Sequence, residues 1–91
     1  MAWKARVIRH IRNDSALRSV VEVGFWDNSV VTDPQTPEEY FHRVTYPSES
    51  LTTLPALQAA VIAAGQQARI DYDRVKAIEA ALPVGLEITI P

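Results

Sequence analysis

Cysteine does not occur in this chain, which removes disulfides, thiolate metal sites and thiol catalysis together and points to a reducing compartment. Histidine is scarce: His10 and His42 stand alone, with no His/Asp/Glu set at helical or hairpin metal spacing, so no metal centre is expected. The three glycines, Gly24, Gly65 and Gly85, are isolated, which excludes a phosphate-cradling loop or a dinucleotide fingerprint, and no cofactor is expected. Serines 15, 19, 29, 48 and 50 lack a nucleophile-elbow pattern. Glu38-Glu39 follows a proline loop, and Asp71 and Asp73 lie among Arg69, Arg74 and Lys76; both pairs read as surface charge rather than acid-base machinery. Long apolar runs are missing too. The richest stretch, residues 54–64, contains Pro55 and Gln58 and spans eleven residues, against the roughly 20 that a bilayer requires. Lys4, Arg6 and Arg9 resemble the start of an export signal, but no uninterrupted apolar run follows them. The expectation is a protein that is neither an enzyme, nor exported by a signal, nor membrane-spanning.

What is present is lopsided. With 91 residues, 47% hydrophobic and 22% charged, the chain supports one core and one α+β domain. Its expected plan is a three-stranded antiparallel meander over 1–47, one long helix over 52–82 and a short C-terminal strand over 86–90. In 3–12, Trp3, Ala5, Val7, Arg9 and Ile11 alternate with Lys4, Arg6, Ile8, His10 and Arg12, the two-residue period of a half-solvated strand. Asn13-Asp14-Ser15 supplies a turn. A second strand, 17–26, is rich in β-branched and aromatic residues, with Val21, Val23 and Phe25 as core. The loop 33–37, with Pro34 and Pro37 unable to donate to a ladder, is expected to be the mobile segment. A third strand is placed at 40–46, ended by Pro47.

After a turn at 48–50, Thr52 or Thr53 can cap a helix that tolerates Pro55 in its first turn. Leu54, Leu57, Val61, Ala64, Ala68, Tyr72, Val75, Ile78 and Leu82 then recur at steps of three and four, until Leu82-Pro83 and Gly85 stop the run. A rod of about 45 Å outspans a seven-residue strand of about 23 Å, so the meander covers only part of it. The alanine-rich half, 55–68, is expected to be buried on two sides, with Leu57, Val61, Ile62, Ala59 and Ala63 as contacts to other subunits. A kink near Gly65 that folds the rod in two is the alternative. Trp26 is placed with the interface candidates, although a large aromatic at a strand end equally finishes a small core; Trp3 is read as core.

Charge is unevenly distributed. Residues 1–20 hold five Lys/Arg and one Asp, whereas 21–91 hold four Lys/Arg and ten Asp/Glu, a dipole that favours contact between opposite ends of copies. Lys4, Arg6, His10 and Arg12 form a candidate basic face for nucleic acid or an acidic protein. The overall pI of about 5.6 and the interruption by Ile8 weigh against nucleic acid.

The opening Trp3-Lys4-Ala5-Arg6-Val7, the valine-rich second strand, Arg43-Val44-Thr45-Tyr46-Pro47, Ala63-Ala64-Gly65-Gln66 and Pro83-Val84-Gly85-Leu86-Glu87-Ile88 together resemble small structural proteins of tailed bacteriophages. The resemblance implies a non-enzymatic virion component in many copies, at the tail, baseplate, neck or capsid. It implies assembly in the host cytoplasm, with other virion subunits or copies of the chain as partners. It transfers no site residues.

Overall fold

The alternating and β-branched segments pair as antiparallel strands β1 (Trp3–Asn13) and β2 (Arg18–Asp27). The computed structural model describes residues 2–13, 18–47 and 53–91; the turns expected at 13–15 and 48–50, and Thr52 as a cap, fall wholly or partly outside them. An antiparallel sheet and one long helix make the class α+β. At 40–46, where a full strand is expected, residues 40–43 are irregular and a four-residue strand β3 (Val44–Pro47) pairs with the far edge of β2. Pro47 belongs to this strand rather than stopping it. Proline is tolerated there because β3 lies at the edge of the sheet order β1-β2-β3.

The β1–β2 register slips once. Trp3 to Val7 pair with Asp27 to Val23, and after Ile8 the pairing resumes as Arg9 with Glu22 and His10 with Val21. This β-bulge inserts one residue into the two-residue period, so every later side chain of β1 changes face. Trp3, Ala5 and Val7 therefore share a face with His10 and Arg12, and Lys4 and Arg6 share the opposite face with Arg9 and Ile11. The expected alternation, carried unbroken through 3–12, is corrected at this point.

The helix α1 (Leu54–Ala81) is capped by Thr53, whose hydroxyl accepts from the Ala56 amide at 3.3 Å. Leu82 closes it just before Pro83. Its 28 residues run without a break through Gly65, so the folded-back alternative does not form. The glycine serves a different need: a Cβ there would lie 3.1 Å from Phe25 Cε1, and its absence lets the helix backbone settle onto that ring. From above Val7, His10 and Val21, α1 descends onto Phe25 and Trp3 and then continues past the Trp3/Asp27 end of the sheet. The core is Val23, Phe25 and Ala68, flanked by Trp3, Val21, Val44, Val61 and Ala64.

Beyond α1 the Leu86 amide donates to the Pro83 carbonyl at 3.0 Å, a turn that Gly85 makes possible at φ +92. The strand expected at 86–90 does not form within the described residues: it pairs with nothing there, and all of 73–91 is exposed. The overhanging helix has carried it beyond either sheet edge. The radius of gyration, 16.9 Å, compares with about 12 Å for a compact 91-residue domain.

Candidate interaction surface

Four aromatic rings lock the middle of α1 to the sheet. Trp3 stacks on Phe25 with centroids 6.4 Å apart, and it meets Tyr72 of the helix at 5.2 Å, as does Phe41. The Trp3 indole N–H donates to the Gly65 carbonyl at 2.8 Å; a helix carbonyl has a second lone pair for such a donor. The Arg69 guanidinium lies 5.5 Å over the same indole. Trp3 is thus core, as its position in the strand suggests, and it has a bonding role as well.

The opposite face of the sheet is covered by the loop between β2 and β3. Arg6 donates to the Pro34 carbonyl at 2.8 Å, to the Tyr40 hydroxyl at 3.0 Å and to the Asp33 carboxylate at 2.9 Å. Its guanidinium also lies 4.9 Å over Trp26. Hydrogen bonds to Asp33 and then Tyr40 push the Arg6 pKa above its usual range. Pro34 is fully buried, and the Gln35 and Thr36 amides both donate to the Glu39 carboxylate, which holds that carboxyl below its ordinary range. The loop expected to be mobile is therefore fastened on both sides. Gly24 leaves room for Tyr40, whose ring carbon would sit 2.5 Å from any Cβ at that position. Trp26, 6% exposed, meets Tyr40 edge-on at 5.8 Å, so it finishes this second layer rather than an intermolecular surface. Its Nε1 is buried without a hydrogen-bond partner.

The candidate basic face is dispersed by the bulge. Lys4 and Arg6 lie on one side, His10 and Arg12 on the other. Arg9, moved to the Arg6 side, donates to Glu22 at 2.7 Å, and Arg43 reaches the other oxygen of the same carboxylate at 3.5 Å. The Arg9 hydrogen bond is the main cause that keeps Glu22 below its usual pKa. Asp27 is lowered as well, first by the Ser29 hydroxyl at 2.7 Å and then by the Ser29 amide at 2.9 Å, against the cost of burial.

Two apolar regions are left at opposite ends of α1. Over its first turns, Leu54, Leu57, Gln58, Val61 and Ile62 stand off from Val7, His10 and Val21, leaving an open groove of about 550 Å³. Of the expected contact residues, Leu57, Val61 and Ile62 line it; Val61 also packs on the core, Ile62 is 60% exposed, and Ala59 and Ala63 lie on exposed helix surface. The half expected to be buried on two sides is thus fully buried only at Gly65 and Ala68, with Val61 and Ala64 partly buried against the core. The second region was harder to anticipate from the sequence, where charges mask it: Ile78, Leu82, Val84, Leu86, Ile88 and Ile90 are all at least half exposed beyond the sheet. A chain of 10.1 kDa ordinarily exposes about 5,300 Å², whereas this one exposes 6752 Å².

Among the described residues no group of three or more His, Cys, Asp or Glu is placed to hold a metal ion, and no helix is long and apolar enough to cross a membrane. No family model, curated protein or solved structure matches the chain.

Proposed function

We propose that this protein is a non-enzymatic structural subunit that acts by packing against further chains, in many copies, within a tailed-phage particle. The observation that carries the reading is the bare apolar surface at both ends of one continuous helix. Monomeric proteins seldom leave contiguous apolar patches of this kind uncovered. The expected C-terminal strand belongs to the same reading: residues 86–90 keep the alternation of a strand while pairing with nothing among the described residues, as suits a segment delivered to another subunit. The resemblance to phage structural proteins supplies the particle as the setting. The rival reading, a module that grips nucleic acid or an acidic protein through Lys4, Arg6, His10 and Arg12, is weakened because Arg6 is engaged by the loop and the four residues do not share a face.

Light scattering of the purified chain across a concentration series tests the proposal. A discrete multiple of 10.1 kDa is expected. A mass of one chain at every concentration rejects self-assembly.

A further inference from the structure

We infer that copies of this chain join head to tail, the 86–90 segment of one copy lying in the groove between α1 and the β1–β2 hairpin of the next. This deepens the self-assembly reading above and rests on it.

The fit begins with spacing. Leu86, Ile88 and Ile90 alternate with Glu87 and Thr89, so an extended 86–90 puts three branched side chains on one side over about 13 Å. The helical wall of the groove from Leu54 to Ile62 rises about 12 Å. Leu54 and Ile62, at 66% and 60% exposed, form its open lip, and Ile88 and Ile90 are 64% and 82% exposed. Each side therefore has apolar surface to lose.

The pairing has to be between chains. From Gln58, in the middle of the groove, to Leu82 the rigid helix extends about 36 Å. The eight residues 83–90 reach at most about 29 Å when fully extended. Because α1 does not bend at Gly65, a chain cannot fill its own groove.

Charge and area point the same way. On the groove side of β1, Val7 and His10 line the wall and Arg12 follows on the same face; residues 54–68, the other wall, carry no charge. Residues 70–91 hold four acids against two bases, so opposite ends attract. The surface in excess of a compact monomer, about 1,500 Å², is close to two patches of about 800 Å². Two different patches per chain are what a heterologous contact uses, and such contacts close into rings or continue as filaments.

Two variants on exposed positions test this. Ile88→Asp/Ile90→Asp spoils the segment and leaves the groove, and Leu54→Asp/Ile62→Asp spoils the groove and leaves the segment; circular dichroism checks that both stay folded. Each alone should scatter as a single chain, and an equal mixture should give a 1:1 dimer of about twice 10.1 kDa, since one intact groove and one intact segment remain. A segment variant that keeps the wild-type mass overturns the inference but not self-assembly. Two monomeric variants that fail to combine also overturn it, because they indicate a contact that uses like surfaces on both copies. A wild-type chain that is monomeric throughout overturns both readings.

Discussion

The middle and the ends of α1 present a reversal. Where the helix meets the sheet, the residues it fully buries are Gly65 and Ala68, and most of the large side chains there come from the strands and loop, Phe25, Trp3 and Phe41, the helix adding Tyr72 and Val61 at the margin. Toward the ends the helix carries its own large aliphatics, Leu54, Ile62, Ile78 and Leu82, and these remain exposed. A helix selected only to complete this core would show the opposite arrangement, since Leu and Ile are among the residues most often buried. One periodic stripe therefore has two characters: in the middle small residues admit the aromatics of the same chain, and toward the ends the large aliphatics stay exposed.

The contrast yields graded expectations. Phe25→Ala, at the centre of the seal, should cost about 3–5 kcal/mol, enough to unfold much of a small domain of marginal stability; urea denaturation followed by circular dichroism measures it. Trp3→Phe keeps the ring but loses the donor to Gly65, for an expected loss of about 1 kcal/mol in the same assay. A loss as large as that of Phe25→Ala would show that the indole, not the phenyl ring, holds the helix down.

A smaller effect is expected from acid. Glu22, Asp27 and Glu39 all have folded pKa values below their ordinary ones. Their contribution to stability is complete above the unfolded values and is lost as pH falls through the folded ones. The denaturation midpoint should drop on acidification below about pH 4.5, and Glu22→Gln should drop less steeply than wild type over that window. An equally steep drop would mean that Glu22 does not contribute. Least of all, Ile78→Ser at the exposed end should move dilute-solution stability by less than about 0.5 kcal/mol; a larger loss would show that the overhang is packed within a single chain.

Much of this architecture was legible in the residues, because helix signals are local. Thr53, Pro55 and Leu82-Pro83 bracket α1 to within a residue or two, and the three-to-four spacing identifies its stripe. Periodicity cannot tell which part of a stripe its own sheet will cover, since that depends on where the helix crosses it. The bulge is not legible in this way, because an unbroken alternation is the simplest pattern that 3–12 presents. Its one trace is a discord: Arg9 sits in the apolar series Trp3, Ala5, Val7, and Ile8 in the cationic one. A slip at that point moves Arg9 out of the apolar series and places it beside Glu22. The loop's attachment was hidden for another reason. It depends on Arg6 meeting Asp33, Pro34 and Tyr40 across 27 to 34 positions, and no spacing rule reaches that far.

The irregularity at Ile8 also has a genetic consequence. Along most of β1, gaining or losing one codon would turn every later side chain to the wrong side of the sheet. At Ile8 the extra residue is already accommodated outside the ladder, and its loss would leave Arg9 facing Glu22 and His10 beside Val21, as now. This strand therefore has one position at which its length can change in descent without exchanging inside for outside.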